Sequence, residues 1–268
     1  MPMRTRRLLR VLLLLPALAL IVLVVVLPAI QAVVLALAGD AGFTLDPFRR
    51  VLGDADALRN TIVLLVLLLP VQGIIAVALA LVLAARFRGA GVLLYLVVLP
   101  LGVSDLAAGL LWLAILTDRG YLNSALQDAG VIAQPIAWLG FDSYGGLLAA
   151  VIVAETWRTI GIVLLPILAR LRADATEGRA LRVSLPLLRS SLGPALVLRA
   201  ILALQTFAVV FVLAGRNLPV LAGEAYTQLA TNRDEHAAAV YVVVVLLLAV
   251  VGSVAYLRFL PARVPAER

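Results

Sequence analysis

The few residues of this chain that could carry chemistry lie inside long apolar stretches. Glu155 and Arg158 are three positions apart, a spacing that places both on one helix face and favours a self-neutralising pair. Arg199 lies near the end of its stretch, where a long side chain can extend to the membrane surface. Asp105 has no charged neighbour in sequence, which makes it the better candidate for a polar pathway or an interhelical partner. Because a charge at the membrane centre costs about 2.5–3.5 kcal/mol, all four should face protein or water.

Amide and indole side chains accompany these charges in the apolar stretches. A site for a small solute needs hydrogen-bonding groups together with a flat apolar surface. The candidates for contact with such a solute are Gln72, Asp105, Trp112, Trp157 and Gln205. For Trp112 and Trp157 the alternative role is helix packing or a position at the membrane interface.

The composition excludes most catalytic chemistry. The chain has no cysteine, a single histidine (His236) and no HExxH motif, so neither thiol catalysis nor a metal site is expected. All 22 basic residues are arginine, whereas a Walker-A nucleotide loop and Schiff-base chemistry both need lysine. We therefore expect no catalytic residue, metal or cofactor, and we interpret His236 as a polar residue at a span boundary.

Six long apolar stretches predict an all-α integral membrane protein. The chain is 64% apolar with a mean hydropathy of +1.12, and each stretch can supply the roughly 20 residues that cross a bilayer as helix. The stretches are continuous and not alternating, which favours helices over barrel strands. Ala36-Leu37-Ala38 resembles a signal-peptidase site, so the first stretch could belong to a cleaved signal peptide. The stretch is, however, longer than the apolar region of about 7–15 residues in such peptides, and we expect a retained anchor helix. The predicted spans are Val11–Ala38, Thr61–Ala85, Gly89–Thr117, Gly145–Ala169, Gly193–Gly215 and Ala237–Leu257.

The arginines predict the topology. With the N-terminus in the cytoplasm, fourteen arginines fall on that side and six on the other, which explains the high isoelectric point without nucleic-acid binding. Both termini are thus expected in the cytoplasm of a multi-pass inner (plasma) membrane protein. The predicted organisation is a cytoplasmic tail (1–10), a first anchor helix (11–38), an extracytoplasmic segment (39–60), a five-helix core (61–257) and a second cytoplasmic tail (258–268).

Only one cytoplasmic loop, 170–190, is sizeable, and its sequence predicts more than a solvated linker. Asp174 or Thr176 can cap a short helix over 176–181. Leu181, Val183 and Leu185 supply apolar contacts, and Pro186 ends the helix. A short amphipathic helix that docks on a cytoplasmic partner has this pattern, although a loop whose charges only set topology remains the alternative.

The loop and the outer segments resemble ABC importer permeases of the maltose and glycerol-phosphate type. Val183-Ser184-Leu185-Pro186, with Leu187-Leu188 and Gly193-Pro194-Ala195-Leu196, is similar to the family's I-x-L-P-L-L-x-P-A-L. Phe48, Val51, Asn60 and Thr61 resemble its N-F-x-x-V and N-T elements, and GYLNSAL at 120–126 resembles its G-x-l-N-x-x-L. Without a gap the E-A-A-x3-G part is not matched, and aligning Glu177-Gly178 with its acidic-Gly pair requires a deletion of several residues, which predicts a shortened or rebuilt docking helix.

The resemblance implies a type I ABC importer permease fold with six transmembrane helices. It implies a permease subunit of an ATP-driven, binding-protein-dependent importer for a sugar or related polyol. The implied partners are a second permease, identical or not, two cytoplasmic ATPase subunits that bind the ATP, and an extracytoplasmic substrate-binding protein. Another small solute (a phosphorylated polyol, an amino acid or a polyamine) and a secondary transporter are the alternatives. The implied ATPase-coupling residues are Asp174, Thr176, Glu177, Gly178, Arg179, Leu181, Arg182, Val183, Leu185 and Pro186.

Overall fold

The structure is a computed structural model that describes residues 14–39, 42–53, 55–85, 87–140, 143–176 and 188–259. It consists of two compact units. Almost every described element is helical, as expected for an all-α protein, apart from one two-stranded ribbon.

The smaller unit comprises Met1–Asp54 and Glu224–Leu246. Helix α1, Leu14–Leu37, contains one π-helical turn at Val22–Val26. It leads into the antiparallel strands β1 (Ala38–Gly39) and β2 (Gly42–Phe43), and then into α2 (Asp46–Gly53). His236 Nδ1 lies 2.9 Å from the carbonyl oxygen of Leu35, which agrees with the interpretation of His236 as a polar residue at a span boundary.

The larger unit comprises Ala55–Gly223 and Leu247–Arg268. Two helices, α10 and α11, belong in part to each unit. The helices after α2 are α3 (Asp56–Ala84), α4 (Ala90–Val98), α5 (Asp105–Leu116), α6 (Tyr121–Asp128), α7 (Tyr144–Thr176), α8 (Arg189–Leu204), α9 (Ala208–Ala214), α10 (Leu221–Thr227) and α11 (Glu235–Phe259).

Among the described residues, four helices (α1, α3, α7 and α11) are long and apolar enough to cross a membrane, and the number rises to six if each of two bent pairs forms one span. The first pair, Ala90–Gly102 with Asp105–Asp128, bends by 110°, and the second, Ser190–Leu204 with Ala208–Asn217, bends by 58°. Each of the predicted third and fifth spans therefore consists of two helices with a bend between them.

The first break has a local cause. Leu99–Gly102 forms a 3₁₀ turn that contains Pro100, which has no N–H to continue the helix. Ser104 then starts α5 afresh, because its hydroxyl accepts a hydrogen bond from the N–H of Ala107 at 3.2 Å. At the second break, Gln205, Thr206 and Phe207 separate α8 from α9.

Helix α7 is the central element of the larger unit and packs along α3. One apolar cluster includes Leu64 of α3 and Val151 of α7, and a second includes Ala80 of α3 and Leu164 of α7. Both helices therefore pass from one cluster to the other, and the segments between the clusters bury the polar side chains of Gln72, Glu155 and Thr159.

Candidate functional site

A fully buried ion pair joins α7 to α8. Arg199 Nη2 lies 2.6 Å from Glu155 Oε2, and the two side chains are 1% and 0% exposed. The expectation that Arg199 extends to the membrane surface was wrong, since a carboxylate on the neighbouring helix offers the guanidinium a partner inside the protein. Burial of two charges is tolerable only when they are paired and their remaining groups are hydrogen-bonded.

Gln72 of α3 supplies part of that hydrogen bonding. Its Oε1 accepts from Arg199 Nε at 2.8 Å, and its Nε2 donates to the Glu155 carbonyl at 3.2 Å and to Thr159 Oγ1 at 2.9 Å. Gln72 is 0% exposed. Its amide is thus engaged within the protein, and the structure does not present Gln72 to a solute.

Arg158 extends this arrangement to a second carboxylate. Its Nη2 lies 3.1 Å from Glu155 Oε1 and 3.0 Å from Asp105 Oδ1. The predicted pair of Glu155 and Arg158 is confirmed. Asp105 has the interhelical partner expected of it, and it lies in the first turn of α5.

Asp105 also connects the two helix breaks. Its Oδ2 accepts the backbone N–H of Ala208 at 2.9 Å, and Ala208 is the first residue of α9. One carboxylate at the start of α5 therefore contacts the start of α9 and, through Arg158, the middle of α7. We call Gln72, Asp105, Glu155, Arg158 and Arg199 the charge network.

The charge network is electrically balanced but unevenly exposed. Two carboxylates face two guanidinium groups, so its formal charge is zero. The Arg199 and Glu155 end is sealed, whereas the side chains of Arg158 and Asp105 are 20% and 30% exposed. Only this second end can meet a molecule from outside the chain.

Two tryptophans lie beside the open end. The rings of Trp112 and Trp157 pack edge to face, with centroids 6.1 Å apart and an interplanar angle of 75°. Trp112 follows Asp105 by two helical turns on α5, and Trp157 adjoins Arg158 on α7. The α5–α7 interface thus presents an ion pair and an aromatic pair together.

Several polar atoms near this interface have no hydrogen-bond partner within the described part of the chain: Trp112 Nε1, Thr156 Oγ1, Arg158 Nε and Thr206 Oγ1. Buried polar atoms almost always have a partner, protein or water. All four atoms are buried, so a solute could hydrogen-bond to them only if the surrounding helices moved apart. Gln205, the remaining candidate, is exposed in the second break and makes no side-chain contact with the charge network that the structure records.

Sequence reasoning missed the contribution of Thr159 and of the Ala208 N–H. Thr159 donates to the Glu155 carbonyl at 2.6 Å, which follows the common i to i−4 pattern of helical threonine. That spacing is visible in the sequence. The Ala208 N–H has no side-chain signal at all, because its availability depends on the break.

Asn60 and Thr61, the residues that resemble the family's N-T element, hold together a second region of the larger unit. Asn60 Nδ2 donates to the Pro219 carbonyl, and Tyr144 Oη donates to Asn60 Oδ1, both at 2.9 Å. Thr61 Oγ1 accepts the Leu221 N–H at 3.0 Å. These residues therefore position the turn before α10 against the starts of α3 and α7.

Asn123 of the GYLNSAL segment is fully buried and acts within its own loop. Its Nδ2 donates to the carbonyls of Thr117, Asp118 and Ile136, and its Oδ1 accepts from Ile136 N and Trp138 Nε1. The amide thus holds the two ends of the loop around α6 together.

The predicted coupling helix is only partly within the described residues. Asp174 lies inside α7 and its carboxylate pairs with Arg170 Nε at 3.3 Å, so it does not begin a new helix, and Thr176 is the last residue of α7. Asp174 and Thr176 are part of α7 because this helix continues past Ala169, the expected end of the fourth span. Glu177, Gly178, Arg179, Leu181, Arg182, Val183, Leu185 and Pro186 lie outside the described residues. Leu171 and Leu188, on either side, belong to the same buried cluster.

Sequence comparison finds relatives among transport permeases. No protein-family model matches the chain. The trehalose/maltose transport system permease protein MalF of Thermococcus litoralis is 32% identical over 158 residues, 54% of this chain and 52% of that protein. The lactose transport system permease protein LacF of Rhizobium radiobacter is 29% identical over 59% and 55% of the respective chains. The sulfate transport system permease protein CysW of Synechococcus elongatus is 28% identical over 72% of each chain. The chain thus spans about half the length of the sugar permeases it matches.

Solved structures share the fold. A chain from a bacterial ABC transporter involved in the import of the acidic polysaccharide alginate matches with a TM-score of 0.69 and 17% identity, over 96% of this chain and 97% of that one. The alginate transporter in complex with an alginate pentasaccharide-bound periplasmic protein gives a TM-score of 0.71 and 18% identity, over 95% and 94%. By sequence and by fold, the chain is similar to the permease proteins of ABC importers, and the resemblance predicted from its motifs is confirmed.

Proposed function

We propose that the chain is the membrane-spanning permease subunit of a binding-protein-dependent ABC importer that carries a sugar or a related polyol. The observation that carries the proposal is the agreement of two independent likenesses: sugar permeases in sequence and ABC importer chains in fold. The relatives are permeases and not enzymes, which suits a chain whose composition excludes most catalytic chemistry.

The proposed topology has six crossings of the inner membrane, with both termini on the cytoplasmic side. Four are single helices, and each bent pair makes one more crossing. Discontinuous helices at membrane depth are tolerated where they line a cavity or are buried in protein. The two breaks meet at Asp105, which supports a solute pathway beside the charge network.

The proposed partners follow from the same likeness. A second permease would complete the pathway, two ATPase subunits would bind the ATP, and a binding protein would deliver the solute from outside. A loop in segment 170–190 would pass the ATPase movement to the helices. Because Leu171 and Leu188 anchor both ends of that segment in one apolar cluster, a displacement of the loop would act directly on α7 and α8.

Transport requires that ATP binding favour one helix arrangement over another. The α5–α7 interface is where such a change would alter a solute site, because Arg158 and Asp105 belong to different elements. If α5 moves relative to α7, the ion pair and the Trp112–Trp157 contact separate together. A solute held between them would then be released.

A second candidate is the import of a small inorganic anion, favoured by the sulfate permease that matches 72% of the chain. An anion site would need unneutralised positive charge. Both arginines of the charge network are paired with carboxylates, which favours an uncharged solute.

The test is to purify the chain with the subunits that accompany it, reconstitute the complex in vesicles and measure uptake. We expect ATP-dependent uptake of a saccharide only when ATP is present on the cytoplasmic side and the binding protein on the other. Uptake of sulfate but of no saccharide would replace the first proposal by the second. Uptake that persists without an ATPase subunit would indicate a secondary transporter.

A further inference from the structure

The open end of the charge network consists of one carboxylate and one guanidinium, each of which has a further partner. Asp105 accepts the Ala208 N–H at 2.9 Å in addition to its contact with Arg158. Arg158 also lies 3.1 Å from Glu155. The contact between Asp105 and Arg158 is an ion pair without a well-aligned hydrogen bond, since Asp105 Oδ1 has no hydrogen-bond partner among the described residues. This contact can therefore open without leaving either group alone.

The sealed end lacks this freedom. Arg199 lies against Glu155 and Gln72, with a side chain that is 1% exposed, and Glu155 is 0% exposed. Removal of Glu155 would leave the buried Arg199 charge without the carboxylate that it contacts, and removal of Arg199 would leave the buried Glu155 with Arg158 alone, so both changes are unfavourable. Movement and contact with a solute are thus confined to Asp105 and Arg158.

The partial exposure of this ion pair identifies what it faces. Charged side chains do not face lipid at membrane depth, because the cost is several kcal/mol for each. The exposed parts of Arg158 and Asp105 must face water, a solute or a partner subunit. The adjoining Trp112–Trp157 pair offers the flat apolar surface that a sugar ring needs beside its hydrogen-bonding groups.

We propose that Asp105 and Arg158 form a charge filter that admits uncharged saccharides to the α5–α7 interface and disfavours acidic ones. This inference rests on the proposed function. An uncharged saccharide can accept hydrogen bonds from Arg158 while the balance of charge stays at zero. An acidic saccharide would add a third negative charge beside Asp105 and Glu155, with only two arginines to neutralise them.

A preference for uncharged saccharides would distinguish this chain from its structural neighbours. Those belong to a transporter of the acidic polysaccharide alginate, and the fold that they share with this chain does not determine the charge of the solute. In this chain, one carboxylate would set the preference, since Asp105 is the only acidic residue of the charge network with a partly exposed side chain.

The test measures direct binding to the full chain, purified with its accompanying subunits. Binding is followed by equilibrium dialysis with labelled probes and without the substrate-binding protein, because that protein would bind the probes itself and the other subunits would contribute to any tryptophan emission. Trehalose, maltose and lactose serve as uncharged probes, and an alginate oligosaccharide serves as the acidic probe. The measured quantity is the ratio of dissociation constants, acidic over uncharged.

For the unsubstituted protein we expect this ratio of dissociation constants to be at least about ten. One uncompensated charge close to a partly desolvated site changes a dissociation constant by about that factor or more. Asp105→Asn should lower the ratio by about tenfold, because the charge network then carries one net positive charge. Arg158→Gln should weaken binding of all probes and raise the ratio, whereas Arg158→Lys should keep the ratio. Asp118→Asn makes the same charge change in the loop before α6 and should leave it unchanged.

An unchanged ratio in both Asp105→Asn and Arg158→Gln would overturn the charge filter. So would a failure of the unsubstituted interface to bind any uncharged probe. Should Asp105→Asn not assemble, the Arg158→Gln and Arg158→Lys pair decides the question by itself. The proposed function fails separately, through the vesicle uptake assay, so the two results can be told apart.

Discussion

The two arginines of the charge network carry the same charge but depend on their surroundings to different degrees. Arg199 is sealed between Glu155 and Gln72, and it is the closest cation to Glu155, at 2.6 Å. Arg158 is partly exposed and lies between two carboxylates, both of which have other partners. Stability should therefore depend on Arg199, and solute contact on Arg158.

The first prediction compares Arg199→Met with Arg158→Met. Breaking a buried pair by removing one partner typically costs about 3–5 kcal/mol, and Arg199→Met leaves Glu155 with one arginine on its outer side. Arg158→Met should cost clearly less, because Glu155 keeps Arg199 and Asp105 keeps the Ala208 N–H. Thermal unfolding of the detergent-purified protein measures both. A larger loss for Arg158→Met would contradict this assignment of roles.

Residue types and helical spacing were sufficient to find the charges and one pair on a single helix, but not the partners on other helices. The Glu155–Arg158 pair was predictable because three positions along one helix fix the distance. Contacts of Arg199 with Glu155 and of Arg158 with Asp105 join residues 44 and 53 positions apart, which no local rule can place. Arg199 was assigned to the surface from its position near a span end, because the sequence does not show that a carboxylate faces it.

At the scale of elements, α5 and α9 approach each other closely at one glycine. A Cβ atom on Gly109 would lie 3.0 Å from Val212 Cβ and 3.2 Å from the Val209 Cα. This contact holds the two short helices that follow the breaks. Their spacing in turn keeps Asp105 in reach of the Ala208 N–H.

The second prediction is that Gly109→Leu destabilises the protein and disturbs binding at the α5–α7 interface. The larger side chain must push α9 away, and overpacking of this kind typically costs about 1–3 kcal/mol. Gly91→Leu is the matched control, since nothing lies within 4 Å of a Cβ added at Gly91. The unfolding temperature measures the loss of stability, and the fluorescence emission of Trp112 and Trp157 reports the change at the α5–α7 interface. If the two variants behave alike, the helices do not depend on this contact.

The third prediction concerns segment 170–190. Leu181→Ala with Leu185→Ala should uncouple ATP hydrolysis from uptake, or detach the ATPase, and leave the permease folded. Truncation of a buried leucine costs about 2–5 kcal/mol where the surroundings cannot collapse. The Arg179→Gln, Arg182→Gln pair should instead weaken association in a salt-dependent way. If a Gly/Ser/Arg linker of equal length preserves ATPase co-purification and uptake, the segment serves topology alone.

Span positions were largely predictable from continuous apolar stretches, whereas the interruptions within them were not. The observed α3 and α11 begin and end within a few residues of the predicted spans. The third and fifth stretches read as continuous because hydropathy does not register backbone direction. Pro100 followed by Ser104-Asp105 was a usable signal for a stop and a new helix start, but Gln205 to Phe207 holds neither glycine nor proline.

At the scale of the whole molecule, the two bent helix pairs determine the membrane topology. Each pair can either cross the membrane or return to the side from which it came, so the helices among the described residues allow between four and six crossings. Every return would reverse the side of all later segments. The arginine distribution favours six crossings, because arginines then collect in the cytoplasmic segments.

The fourth prediction is that tags at Gly178 and at the C-terminus are accessible only from the cytoplasm, and that a tag at Asp128 is labelled from outside. With the N-terminus in the cytoplasm, the outcomes separate the alternatives. If the first pair alone returned, Asp128 would be inside and both Gly178 and the C-terminus outside. If the second alone returned, only the C-terminus would change sides. If both returned, Asp128 and Gly178 would exchange sides while the C-terminus stayed in the cytoplasm. Labelling of Gly178 from outside intact cells would remove segment 170–190 from reach of any cytoplasmic ATPase, and the coupling proposal with it.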